Sequence, residues 1–167
     1  MSKKPLDVLN GFGDLKYLEM LLREGSEDGP HSVMFRMYRR DTRTSGEIEV
    51  PEAFFPYGWA GNNERGHRTI NCYEHQGQHG AASPNAIVAN NRPATPAEYA
   101  ELAAEITSRN YNLVVINRFS WQKMLDACAA QEAWFNFNFS AKDGERYTVE
   151  QIIERVKNAR EKARTGR

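Results

Sequence analysis

The stretch RPATPAEYAELAAEI, residues 92–106, constrains this chain more than any other. Thr95 suits an N-cap, Pro96 the first helical position, and Glu98 stands where a capping box places its acid. Tyr99, Leu102, Ala103 and Ile106 then trace one stripe at helical spacing, so residues 96–109 form a helix with one apolar face. A helix with a single dry stripe needs a surface to lie on, and the segments before it supply one. HSVMFRMYRR, His31 to Arg40, alternates with period two, putting Val33, Phe35 and Met37 on one face and Met34, Arg36, Tyr38 and Arg40 on the other. That spacing predicts a strand with one dry face.

Other elements follow in order. Residues 1–13 read as a flexible leader. Leu15, Leu18, Leu21 and Leu22 recur at helical spacing behind Asp14, a candidate cap, with Gly25 as the stop. EIEVPEAFFPY is extended but interrupted by Pro51 and Pro56, which suggests an edge strand or two short pieces. Residues 58–66, rich in glycine and asparagine, read as a loop. Arg68–Tyr73 suits a third strand and Ala86–Ala89 a short one. Leu113–Ile116 suits a buried strand, and Ser120 caps a helix that turns Trp121, Leu125 and Cys128 inward. Trp134–Phe139 alternates phenylalanine with asparagine, which is strand patterning with Phe135, Phe137 and Phe139 in the core. Thr148 with Gln151 opens a last helix lined by Val149, Ile152, Ile153 and Val156. Together these predict an α+β domain over residues 14–160, with a mainly antiparallel sheet, helices packed on one face, further helices at both ends, and a frayed tail at 161–167.

Twenty-two basic residues balance twenty-two acidic ones, which argues against general binding to phosphate backbones. Two cysteines make no disulfide framework. No run approaches the ~20 apolar residues of a membrane helix, and the N-terminus has no signal-peptide pattern, so a cytoplasmic protein is expected.

HRTINCYEHQGQHGAAS, His67 to Ser83, gathers three of the four histidines around glycines. Its candidate binding loop is Tyr73, His75, Gln78, His79 and Ser83. Cys72, His75 and His79 could ligate zinc, with His67 beside them and Glu74 as a base. A thiolate–imidazole pair on Cys72 is another option, and the structural alternative has the histidines stiffening a glycine bend. Arg36, Arg40, Arg43, Arg65 and Arg68 could form a nucleic-acid surface, or could simply be solvated strand ends paired with acids.

AFFP (53–56), CYEHQGQHGAAS (72–83), RPATPAEYAELAAEI (92–106) and the segment 112–118 together resemble a group of small bacterial proteins. That group has an FP, YxHxGQHG, TPxEYxxLxxEL pattern and is carried by phages, plasmids and other mobile elements; no activity is established for it. The likeness covers residues 31–118 and leaves 119–160 as an extension. It implies a non-enzymatic accessory or regulatory protein acting by protein binding, without a cofactor. Zinc binding or metal-dependent hydrolysis, and nucleic-acid binding, are the alternatives.

Overall fold

The long hairpin β1–β2 is the spine of the molecule. In the computed structural model, which describes residues 3–42, 44, 46–74, 77–89, 91–141 and 146–166, β1 (Pro30–Thr42) pairs antiparallel with β2 (Gly46–Asn62) from Met34 opposite Phe54 to Thr42 opposite Gly46. β3 (Arg68–Glu74) and β4 (Gln78–Ala82) extend the sheet beyond β2, and β5 (Asn91–Pro93) lies on the other side of β1. β6 (Asn112–Val115) runs parallel to the start of β1. The order is β4-β3-β2-β1-β5, a six-stranded and mostly antiparallel sheet.

The helices are α1 (Pro5–Asn10), α2 (Leu15–Arg23), α3 (Pro96–Ser108), α4 (Trp121–Phe139) and α5 (Val149–Thr165). The α+β class and the terminal helices are as the sequence indicates. Both capping boxes form: Thr95 donates its N–H to Glu98 at 2.8 Å, and Thr148 its N–H to Gln151 at 2.8 Å. Asp14 caps α2 by accepting from the Lys16 N–H at 2.8 Å.

The helices do not share one face. α1, α2, α4 and α5 cover the side of the sheet carrying Met34, Phe54, Ile70 and Cys72. α3 packs alone on the other side, its Leu102 and Ile106 against Val33, Phe35, Phe55 and Tyr73. The reason lies in β1, whose expected wet face begins with Met34, itself only 6% exposed. Near the start of β1, both faces are dry.

Five further expectations are corrected. β2 is central, because Pro51 sits before the β3 pairing begins at Ala53 and Pro56 falls where the β2–β3 register shifts, between Phe55 and Trp59. The strand also continues through Gly58 to Asn62, where a loop was expected. The leader holds α1, whose Leu9 is fully buried, and Arg160 of α5 ties down the following turn by donating to the Phe12 and Gly13 carbonyls. Residues 84–87 form a 3₁₀ turn, and Val114 and Val115 of β6 are exposed.

The last correction concerns Trp134–Phe139, which is the C-terminal end of α4. This run contains no β-branched residue, and it follows Ala127, Ala129, Ala130 and Ala133 without a breaker, so the helix simply propagates. Period two becomes i,i+4 spacing: Phe135 and Phe139 stack at 6.2 Å on the outside, while Phe137 turns to Tyr147. Trp121 and Leu125, expected to point inward, are also exposed.

Candidate functional site

The histidine stretch forms a β-hairpin. β3 and β4 pair from Ile70 opposite Ala82 to Glu74 opposite Gln78, and Gly77 closes the turn at φ 75°, where glycine is favoured. α3 pins the hairpin from beneath. The Tyr73 hydroxyl donates to Glu105 Oε1 at 2.6 Å, and the Gly77 N–H donates to the same oxygen at 3.0 Å. Arg109 lies over the Tyr73 ring. Tyr73 is therefore a fully buried anchor, whereas Gln78, His79 and Ser83 are exposed. His75 and Arg43 lie outside the described residues.

Alternation separates the expected metal ligands. Cys72 belongs to the face under α1, α2, α4 and α5, while His79 sits opposite Tyr73 on the α3 face and packs edge-on against its ring at 4.7 Å. His67 precedes β3, at its far end from His79. Among the described residues, no three potential ligands converge. Glu74, the suggested base, faces Arg40 at 3.7 Å instead.

The thiols are not activated. Burial, with Glu52 adding to it, pushes Cys72 up to about 12, and burial pushes Cys128 up to about 11. Both therefore stay protonated at neutral pH. Glu52 is itself only 8% exposed, and burial pushes its carboxyl from 4.5 up to about 6 despite the hydrogen bond it shares with Cys72. The folded state thus holds this proton more tightly than the unfolded chain does. The resulting stabilisation is complete below pH 4.5 and is lost as pH rises through 6, a change of about 2 kcal/mol. Glu52→Gln should remove this component from the difference in urea stability between the two ends of that range. An unchanged difference would show that Glu52 ionises as freely as in the unfolded chain. His31 works in the opposite sense, since burial lowers its pKa, and its contribution weakens as acid protonates it.

The arginines are dispersed. Arg36 donates to the Asn91 carbonyl at 2.7 Å, Arg40 faces Glu74, Arg68 pairs with Glu132 at 2.9 Å, and Arg65 is exposed in the β2–β3 connection. Separate side chains, two of them ion-paired and one bonded to a backbone carbonyl, describe them better than a shared basic surface.

Two hollows remain. The first, of about 120 Å³ on the α3 face, brings His31, Asn71, His79 and Tyr111 around the buried carboxylate of Glu24. The Tyr111 ring lies 4.6 Å from that of His31 and 5.8 Å from that of His79. This hollow is well below the ~300 Å³ at which ligand pockets begin.

The second, of about 530 Å³, lies between the C-terminal half of α4, the end of α2 and the β2 bulge. Trp59, Trp134, Phe135, Phe139 and Tyr147 line it. Phe135 meets Trp59 edge-on at 5.7 Å, and Phe135 and Phe139 are 55% and 84% exposed. Gln131 fixes the floor: its amide accepts from the Trp59 N–H at 2.8 Å and donates to the Tyr57 and Leu21 carbonyls at 2.8 and 3.0 Å. Sequence reasoning missed this groove because it placed the phenylalanines of 135–139 on a strand. The signal was available, since Phe135 and Phe139 are one helical turn apart and read as one outward stripe once the helix is extended.

Compared with protein-family models, curated proteins and solved structures, the chain matches none, and the geometry of its grooves carries its functional reading.

Proposed function

We propose that the protein is a non-enzymatic binding protein that docks an apolar segment of another protein in the aromatic groove beside α4. The observation that carries this is the pair Phe135 and Phe139, held out to solvent next to Trp59 at the rim of a 530 Å³ hollow. Large aromatics kept exposed on a rigid helix mark interaction surfaces, and aromatic anchors in a hollow are where binding energy concentrates. An accessory role in a phage, plasmid or other mobile element, as the resemblance of residues 31–118 implies, belongs to the same proposal.

The test is selection from a randomised peptide display library on the immobilised protein, compared with a Phe135→Asp/Phe139→Asp variant. Peptides that bind the wild type and lose the variant are expected. If no peptide distinguishes the two proteins, the docking reading fails. Folding is controlled with Phe139→Ser, which should leave thermal stability within about 0.5 kcal/mol of wild type because that ring is 84% exposed.

A further inference from the structure

Resting on that docking reading, we infer that the docked segment carries an acidic side chain beside its apolar anchor, and that Arg146 receives it. The groove's polar groups leave an occupant little else to bond. Gln131 is committed at both ends of its amide. The Trp134 indole N–H donates to the Tyr147 carbonyl at 3.0 Å, and Asn138 accepts from the Tyr147 N–H at 2.7 Å. Glu24 is turned inward, accepting from the Ser32 N–H at 2.6 Å with Lys123 at 3.8 Å.

The neighbouring cations are also engaged. Arg23 pairs with Glu19 and Glu150, and Arg155 stacks on the Tyr147 ring at 4.3 Å. Arg146 differs from both. It is exposed on the groove wall, and among the described residues no acidic group pairs with it. An occupant can therefore gain apolar contact along α4 and one charge-assisted contact at this guanidinium, whose planar fork suits a carboxylate. A cationic segment would meet only repulsion there. The hollow opens beside rings already standing in solvent, which fits a chain passing across it better than a small molecule enclosed within it.

The experiment extends the library selection to Arg146→Glu, an exposed position where circular dichroism should show an unchanged fold. Wild-type selections should combine an aromatic or large aliphatic anchor with a nearby Asp or Glu. Selections on Arg146→Glu should keep the anchor and replace the acid by Lys or Arg. A synthetic wild-type-selected peptide should bind Arg146→Glu roughly three- to tenfold more weakly, with part of that loss reproduced by high salt. An anchor motif without acidic preference, bound equally by both proteins, overturns this inference and leaves docking intact. Failure of the selection to distinguish wild type from the double phenylalanine variant overturns docking itself.

Discussion

Gln131→Leu is expected to lower the unfolding free energy by about 3 kcal/mol, although leucine fills nearly the same volume. The amide joins three segments that are distant in sequence: the end of α2 through the Leu21 and Glu24 carbonyls, β2 through Tyr57 and Trp59, and α4 itself. Leucine replaces none of these bonds, and it strands the Trp59 N–H and three carbonyls in a partly buried floor. Each net bond contributes about 1 kcal/mol, and the partners left behind add their own desolvation cost. Urea denaturation followed by circular dichroism measures the loss. A change below about 1 kcal/mol would show that water replaces the amide at little cost. The variant should also loosen Trp59, the residue against which Phe135 rests, so peptide binding should weaken before the fold does.

The other large effect is expected at Tyr73, under the histidine hairpin. Tyr73→Ala removes a fully buried ring from the smaller core, between β3 and α3, and should cost about 3–5 kcal/mol. Tyr73→Phe keeps the ring and loses only the hydroxyl bond to Glu105, at about 1.5–3 kcal/mol because the acceptor is charged. Glu105→Gln tests the same contact from α3, and the Tyr73→Phe/Glu105→Gln pair closes a double-mutant cycle. Costs that simply add would mean the two side chains do not act together. His79→Ala, by contrast, should cost little: the imidazole is exposed, meets the Tyr73 ring edge-on, lies nearly parallel to the Tyr111 ring, and reaches the Tyr111 hydroxyl only at 3.4 Å. The Gly77 end of the bend is tied to α3 through Tyr73 and Glu105, while His79, one of the two histidines expected to stiffen it, stands exposed beside it; the other, His75, lies outside the described residues.

That contrast shows how much of the site was legible. The sequence marks Tyr73 and His79 alike, because both stand in an unusual cluster of residue types whatever each residue does. It does not mark Glu105, since an acid on the polar side of an amphipathic helix looks like any other solvated charge. Gln131 and Arg146 carried no signal either. An amide becomes a keystone only when three unrelated carbonyls and an amide N–H are brought around it, and a rim arginine matters only beside a groove. The phenylalanines of the α4 end stand out in the sequence, but their alternation points to the wrong period. Alternation over six residues is compatible with both a strand and a helix face, and the choice depends on whether the preceding helix stops.

Read alone, the chain of residues determined the elements whose information is local. The starts of α2, α3, α4 and α5 follow from cap chemistry within four residues, and β1 and β3 follow from alternation along a single strand. Hydrogen bonds between near neighbours need no tertiary partner to be foreseen. The tertiary structure alone decided that β2 is central, that α3 lies on the opposite face from the other helices, and that Phe135 and Phe139 remain uncovered. Each of these depends on which distant segment arrives to bury a given surface, and burial is a property of the packed pair that neither segment carries by itself.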